Sequence, residues 1–258
     1  MKRTLNIILI FVLIAGIAGL SAYIFYRYQN QTVKQIKLTL FRGHDKKGFL
    51  NKKLLLENIE NDTSVSGKTI KEADLKKLIT RLQKNPYVGS ADAFFDITGN
   101  LIVNIKEKTA VVKVYSAEND PFYIDNNGKF FPCCHGYAPD IIIANGYIKG
   151  LKYKNNASVF DSVYKRSIIV PVFRLAKMIS EDAFLKASIS QIYVNSKNKI
   201  DLVPVIGNQL IRFGTIENAA LKLDNLKAFY QKAFVKQNGN RYSQINLEFI
   251  NQIVCTKK

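Results

Sequence analysis

Residues 7 to 25 form an uncharged apolar run, and no comparable run follows in the rest of the 258-residue chain. Nineteen helical residues, at about 1.5 Å each, approach the ~30 Å thickness of the hydrocarbon core of a bilayer. Lys2 and Arg3 precede the run, and only Arg27 follows it closely. The positive-inside rule therefore predicts a cytoplasmic stub at 1–6, a membrane anchor at 7–26 and export of the remaining bulk.

A cleaved signal peptide is the alternative interpretation of the same run. The apolar core of a signal peptide is usually about 7–15 residues long, and small residues occupy the two recognition positions before the cleavage site. The run here is longer, and the best candidate site has Leu20 and Ala22 at those positions, where leucine fits poorly. An uncleaved anchor is therefore favoured.

The composition indicates folded domains rather than a disordered chain, because 47% of the residues are hydrophobic and 11% are aromatic. The formal net charge is +18. In a cytosolic protein this charge would suggest nucleic acid as a partner. On an exported, membrane-anchored domain it favours an acidic protein partner or anionic lipid headgroups, or simply scattered and solvated lysines. Nucleic acid is not an expected partner.

The chain lacks the residue groups that most enzymes and metal sites need. Cys133, Cys134 and Cys255 are too few for a disulfide framework, although a bond from one of the first two to Cys255 remains open in an oxidising compartment. The Cys-Cys-His run at 133–135 has no second ligand pair, so no metal is expected.

Two Ser-x-x-Lys sequences, at 162–165 and 196–199, lack the accompanying motifs of penicillin-interacting enzymes. His44 and His135 stand alone. We predict no catalytic residue, no cofactor and no small-molecule substrate.

The first part of the exported chain has the element order β-α-α-β-β. A polar tether at 28–35 leads to an alternating strand at 36–41. Asn51 precedes a short helix, and Thr69 with Glu72 predicts a capping box for a second helix, which Pro86 must end. Two alternating strands then form a hairpin across the turn at 98–100, with inward residues Ala91, Ala93, Phe95, Ile97, Leu101, Val103 and Ile105.

The second part is rich in strands, which are predicted at 111–116, within 121–131 and at 140–146. A helix follows Pro171, and a three-strand meander precedes a long helix that Thr215 is expected to cap and Asn238-Gly239 to end. The inward face of that helix is predicted to carry Ala219, Leu223, Leu226 and Tyr230. Ile245, Leu247 and Phe249 then alternate with polar residues, which predicts a half-buried strand running almost to the C-terminus.

Four motifs, taken in order, resemble those of the FtsQ/DivIB family of bacterial cell-division proteins. KNPYV at 84–88 resembles the Asn-Pro-aromatic-Val that opens the second strand of the family's POTRA domain. NLIVNIKEKTAVV at 100–112 is similar to its junction between domains, and FYIDNNGKFF at 122–131 to the first hairpin of its β domain. INLEFINQIVC at 245–255 resembles its terminal hairpin.

The resemblance implies an α+β protein with a single N-terminal transmembrane helix, a POTRA-like domain at 33–108 and a mixed β domain with packed helices at 109–256. It implies a non-catalytic, bitopic scaffold in the inner membrane, with its bulk in the periplasm and enriched at the division septum. The implied partners are coiled-coil division proteins of the FtsB/FtsL (DivIC) type, and through them the septal peptidoglycan synthase. The strands at 36–41 and 87–95 of the POTRA-like module are candidates for localisation contacts, the alternative being that they only hold the sheet.

A terminal strand is often a sheet edge to which a partner can add a strand of its own. The family uses this part of its β domain for its coiled-coil partner, and the resemblance carries the role to a short stretch of this chain. Phe249 is either the main contact residue or a core residue that continues the inward period of Ile245 and Leu247. The candidate partner-binding residues are Phe249, Ile250, Asn251, Gln252, Ile253, Val254 and Cys255.

Two other functions remain as alternatives. One is an assembly or chaperone protein of the outer-membrane insertion or secretion type, which would carry several POTRA copies or a following barrel. The other is an exported cell-wall enzyme whose site the sequence does not reveal.

Overall fold

A computed structural model of the chain describes residues 2–43, 47–234, 242–249 and 252–258. The described residues form two compact units. The first ends at Glu107, and the second comprises the chain from Lys108 onward together with Lys47. The predicted turn at Asn238-Gly239, and also His44, lie outside the described residues.

The chain begins with the long helix α1, Lys2–Gln29. Its segment Asn6–Gln29 is long and apolar enough to cross a membrane, and no part of its most apolar stretch is buried within the protein. A soluble core helix of this composition would be packed on at least one side. The helix therefore fits the predicted anchor by length, composition and exposure.

The stretch at 28–35, which the sequence predicts to be a short polar tether, is hydrogen-bonded to other parts of the first unit. The Gln29 carbonyl accepts a hydrogen bond from the Lys71 N–H, at 3.1 Å, and the Gln31 carbonyl accepts one from the Ile70 N–H, at 2.9 Å. Val33 donates to the carbonyl of Lys68 at 3.1 Å. The polar composition of this stretch does not reveal these contacts, because they are hydrogen bonds between backbone groups rather than between side chains.

The remainder of the first unit has the predicted β-α-α-β-β order: β1 Ile36–Phe41, α2 Lys52–Glu60, α3 Leu75–Gln83, β2 Val88–Phe95 and β3 Leu101–Glu107. The sheet order is β1-β3-β2, with β1 parallel to β3 and β2 antiparallel to it. Both helices bury an apolar stripe against this sheet. The resulting core includes Leu38, Leu55, Ile59, Leu78, Leu82, Ala93, Val103 and Ile105.

Two local predictions in this unit need correction. The α3 helix begins at Leu75, and its cap is Asp74, whose carboxylate accepts from the Lys77 N–H at 3.0 Å. The expected bonds between Thr69 and Glu72 do form, but in the turn before the helix. The β2 strand ends at Phe95, so Ile97 does not continue its inward alternation and is exposed instead.

The second unit contains one nine-stranded mixed sheet. The strands are β4 Ala110–Val114, β5 Phe122–Asp125, β6 Phe130–Pro132, β7 Ile142–Gly146, β8 Ile189–Val194, β9 Ile200–Pro204, β10 Leu210–Gly214, β11 Tyr242–Asn246 and β12 Val254–Lys257. Their order in the sheet is β12-β11-β10-β9-β8-β7-β4-β5-β6. The predicted meander is confirmed as β8-β9-β10.

The helices of the second unit are a 3-10 turn at Ser162–Tyr164, α4 Ile169–Glu181, α5 Ala183–Ser188 and α6 Ala219–Phe229, which continues into a π turn at Tyr230–Phe234. The α4 helix packs against β4, β7 and β8, and α5 packs against β8. Thr215 does not cap α6, because the chain passes through Asn218 in the left-handed region, with φ of 53°, before the helix begins. The predicted inward face of α6 is confirmed, since Ala219, Leu223, Leu226 and Tyr230 are all buried.

Candidate partner-binding edge

The β12 strand forms one end of the nine-stranded sheet. It pairs antiparallel with β11, with Ile245 opposite Cys255 and Asn246 opposite Val254. Among the described residues no strand pairs with its other side. Such an edge presents a row of backbone N–H and C=O groups that another strand can use.

The β6 strand at the opposite end of the sheet is covered by a neighbouring segment. Phe130 donates its N–H to the Ala157 carbonyl, and its own carbonyl accepts from the Asn156 N–H, both at 2.9 Å. Lys129 also forms an isolated bridge with Ser158. The two ends of the sheet therefore differ, and β12 is the end where no described segment occupies the outer side.

The predicted contact residues divide between the surface and the core. Phe249, Gln252 and Val254 are exposed, with half of Phe249 accessible to solvent. Ile253 and Cys255 are partly buried and pack against the main core of the unit. Ile250 and Asn251 lie outside the described residues. The exposed group could contact a partner directly, whereas Ile253 and Cys255 fix the strand to the protein.

The interpretation of Phe249 as a core residue is wrong. Ile245 and Leu247 are fully buried, as the alternation requires, but β11 ends at Asn246, before the alternation reaches Phe249. The Asn246 side-chain carbonyl accepts a hydrogen bond from the Glu248 N–H at 2.8 Å, which turns the chain away from the strand. Phe249 follows this turn and faces solvent.

The turn before Phe249 is fixed on both sides. Leu247 donates its N–H to the carbonyl of Arg212 at 2.9 Å. The carboxylate of Glu248 pairs with the Lys199 ammonium at 2.6 Å. A Cβ added to Gly214 would lie 2.8 Å from the Glu248 side chain, so only glycine fits beneath it. Phe249 is thus held near β12 by its neighbours, which lowers the entropic cost of using it in an interface.

Sequence reasoning missed the supporting role of Lys199 and Glu248. They are 49 positions apart, and only the pairing of strands brings them together. Asn246 did carry a local signal, because asparagine favours a side-chain bond to the backbone N–H two residues on.

The fold argues against a disulfide to Cys255, and none of the three cysteines is in a disulfide bond. Cys133 and Cys134 follow β6, whereas Cys255 lies in β12 at the opposite end of the sheet. Burial raises the pKa of both Cys133 and Cys255 above the ordinary thiol value. Both are therefore protonated and weakly nucleophilic near neutral pH.

The described residues contain no group of three or more His, Cys, Asp or Glu side chains arranged to hold a metal ion. Ser162 and Lys165, one of the two Ser-x-x-Lys sequences, lie on the short 3-10 turn and its C-terminal cap, and both are exposed. This is unlike the buried, polar setting that activates a catalytic serine.

A family model described as FtsQ/DivIB, C-terminal related, matches residues 109–256, which is more than half of the chain. The chain belongs to the FtsQ/DivIB family. The match covers β4 to β11 completely and includes most of β12. The chain is also 28% identical to the cell division protein FtsQ of Rhodothermus marinus over 198 residues, which cover 75% of this chain and 69% of that protein.

The resemblance predicted from the four motifs is thereby confirmed, and so is the α+β fold with an N-terminal apolar helix. Membership in the FtsQ/DivIB family makes this a cell-division protein, and α1 fits a single membrane pass. The family assignment favours cell division over outer-membrane assembly.

Proposed function

We propose that the chain is a non-catalytic, single-pass scaffold of the bacterial divisome. Its domain at 109–256 binds a coiled-coil partner of the FtsB/FtsL (DivIC) type along the outer side of β12. Through that partner it helps to recruit and regulate the septal peptidoglycan synthase. The observation that carries the proposal is the edge strand β12, with the exposed Phe249 in the stretch of chain that connects β11 to it.

The proposed mode is β-augmentation, in which an extended segment of the partner adds a tenth strand to the sheet. Backbone hydrogen bonds supply affinity, and side chains at alternate positions supply specificity. Phe249 offers the kind of large aromatic contact that dominates interface energies. Arg212 and Lys257 are exposed, and Arg212 shares a sheet face with Val254 through the pairing across Asn246. These charges favour an acidic segment in the partner.

A pair of proline variants tests augmentation directly. In an antiparallel ladder, successive N–H groups point alternately toward the neighbouring strand and away from it. Of the variants Cys255→Pro and Thr256→Pro, one therefore removes a backbone hydrogen bond to β11. The other removes a backbone N–H on the outer side of β12, where a partner strand would accept it. Cys255→Ala and Thr256→Ala serve as the controls for loss of the side chain.

The measurement is the affinity of the full-length chain, in nanodiscs, for the periplasmic domain of its FtsB- or DivIC-type partner from the same organism. We expect one proline variant to lower the melting temperature. The other should keep the wild-type melting temperature but bind at least about tenfold more weakly. Wild-type affinity in the stable proline variant would contradict augmentation at β12.

The proposed orientation has the C-terminal bulk in the periplasm, because Lys2 and Arg3 precede the membrane span. Protease added to spheroplasts should then digest the second unit and leave a short membrane-bound fragment. Protection of the second unit would show the inverted orientation, and release of a soluble ectodomain would show cleavage.

Enrichment at the septum, with the POTRA-like domain at 33–108 supplying localisation contacts, is the remaining part of the proposal. A fluorescent fusion lacking 33–108 should lose its septal band while remaining in the membrane. A normal band would assign localisation to another part of the chain.

A further inference from the structure

The end of α1 and the β2–β3 turn are joined by a side-chain hydrogen bond. The Tyr28 hydroxyl donates to the carbonyl of Asp96 at 2.8 Å. Lys34, a few residues later, donates its N–H to the carbonyl of Gly99 in the same turn at 3.2 Å. The turn at 96–99 is therefore held at the level where the chain leaves α1.

That level corresponds to the membrane surface if α1 spans the bilayer. Residues 7–26 are uncharged and, at about 1.5 Å per residue, measure roughly 30 Å, which matches the hydrocarbon core. Arg27 is the first charged residue after this stretch, and Tyr28 follows it at the height of the headgroups. The bond from Tyr28 brings Asp96 and its neighbour Ile97 to the same height.

Ile97 is 93% exposed, which is the highest value among the large apolar side chains that the structure describes. The turn that carries it is tightly bonded. The Asp96 carboxylate accepts hydrogen bonds from the Thr98 hydroxyl and from the Asn100 N–H, and these hold the pKa of Asp96 well below its usual range. Ile97 is consequently fixed at the tip of the turn, with its apolar surface directed into the surroundings.

Three lysines lie around the same exit point. Lys34 is bonded through its backbone to the 96–99 turn. Lys68 is bonded through its backbone to Val33 after α1, and Lys71 to Gln29, the last residue of α1. Two acids lie nearby: Glu72 is engaged by Thr69 at 2.9 Å, and the Asp96 carboxylate, already bonded to Thr98 and Asn100, is 3.8 Å from the Lys37 ammonium. An exposed apolar tip surrounded by lysines has the chemistry of a surface that contacts anionic lipid.

We propose that the 96–99 turn and the 68–71 segment form a lipid-contacting surface, which we call the membrane-facing loops. Ile97 inserts at the boundary between headgroups and acyl chains, while Lys34, Lys68 and Lys71 bind anionic headgroups. A lipid surface is the occupant because the loops are bonded to the exit of the membrane-spanning helix. The inference rests on α1 crossing the membrane and is independent of partner binding at β12.

The chain contains no tryptophan, so a single introduced indole reports its own surroundings. The test variant is Ile97→Trp in the full-length chain, reconstituted in nanodiscs that contain anionic lipid. The matched control is Leu54→Trp, because Leu54 is 56% exposed and lies in the first turn of α2. The chain enters α2 close to the C-terminal end of β1, where the Arg42 guanidinium donates to the Leu50 carbonyl at 2.6 Å, whereas the helix exit precedes the N-terminal end of β1. The probe is a lipid brominated at shallow acyl positions, which quenches indole at near contact.

We expect the emission of the Ile97→Trp variant to shift to shorter wavelength. Brominated lipid should quench it several-fold more strongly than it quenches the emission of the Leu54→Trp control. Replacing Lys68 and Lys71 with glutamine in the Ile97→Trp background, or the anionic lipid with a zwitterionic one, should reduce this quenching.

Two results would overturn the proposal. One is equal quenching by brominated lipid in the Ile97→Trp and Leu54→Trp variants. The other is an indole in the Ile97→Trp variant that is shielded from aqueous acrylamide but not quenched by lipid, because a protein would then be the occupant.

Discussion

Replacing Phe249 with alanine should weaken partner binding much more than it weakens the fold. Phe249 lies in the connection between β11 and β12, follows a turn fixed by Asn246 and Glu248, and exposes half of its surface in the free protein. The exposed half is the part that a partner could bury. The buried half already contributes to the fold, so the variant has a separate and measurable effect on stability.

The size of the effect follows from the exposed area. A phenylalanine side chain offers about 200 Å² in total, so its exposed half is about 100 Å². At about 25 cal/mol per Å² of buried apolar surface, full burial by a partner contributes about 2.5 kcal/mol. This corresponds to roughly a 70-fold increase in Kd for Phe249→Ala.

The assay is calorimetric titration of the full-length chain with the periplasmic domain of its FtsB- or DivIC-type partner, with thermal unfolding measured on the same samples. Phe160→Ala is the matched control. Phe160 is 56% exposed and packs edge-on against Phe173, but it lies beside the β5–β6 turn, far from β12 in the order of the sheet. The Phe160→Ala variant should lower the melting temperature by about as much as Phe249→Ala does, but leave the Kd for the partner unchanged.

Two results would refute this reasoning. A Kd for Phe249→Ala within about threefold of wild type would remove Phe249 from the interface, since threefold corresponds to only about 0.6 kcal/mol. Equal loss of affinity in Phe160→Ala would show that the partner senses general destabilisation rather than a contact at this edge.

Two further predictions concern the two units separately. Burial raises the pKa of Asp62, but hydrogen bonds from Ser64 and the charge of Arg81 outweigh it, so the net pKa is lowered. Because the pKa of Asp62 is lower in the folded state, its ionised carboxylate stabilises the folded protein at pH values above the unfolded-state pKa of about 4. This stabilisation is lost as the pH falls through the folded-state pKa. Asp62→Asn should therefore cost about 1–3 kcal/mol at pH 7, with the difference from wild type shrinking below about pH 4 in denaturant titrations; a difference independent of pH would contradict this. Gly146 has φ of +95°, and an added Cβ would lie 2.2 Å from a carbonyl oxygen of β8. Gly146→Ala should lower the free energy of unfolding by at least about 2 kcal/mol. Gly136→Ala is the control, because Gly136 has a similar φ of +98° but open space around the added Cβ, so that only backbone strain should destabilise it. Equal melting temperatures of the two variants would show that the collision at Gly146 relaxes without cost.

The sequence predicted most elements of the first unit because their signals are local. Period-2 alternation gave the strands, and apolar residues at helical spacing gave α3, whose Leu78 and Leu82 are buried as expected. The errors occurred at element ends. Asp74 rather than Thr69 caps α3, because a second capping residue closer to the helix competes with the first and the pattern alone does not rank them.

The candidate edge was only partly predictable. Alternation at Ile245 and Leu247 correctly indicated an inward face, but the same period continues through Phe249 after the backbone has already turned. Nothing in a single sequence specifies that β10 pairs with β11 in parallel across the α6 crossover, or that β7 lies between β4 and β8. These pairings join residues far apart in the chain, and they alone determine that β12 is at the end of the sheet.

From β8 to β12 the order of strands in space follows their order along the chain, and among the described strands β12 pairs with β11 alone. A four-residue strand attached in this way can detach while the other eight strands stay paired, so we expect its opening free energy to be among the lowest in the unit. Its backbone amides should therefore exchange with solvent deuterium sooner than those of β8 or β9. A partner strand would close this local opening, so that part of the binding energy is consumed in ordering the strand to which the partner attaches.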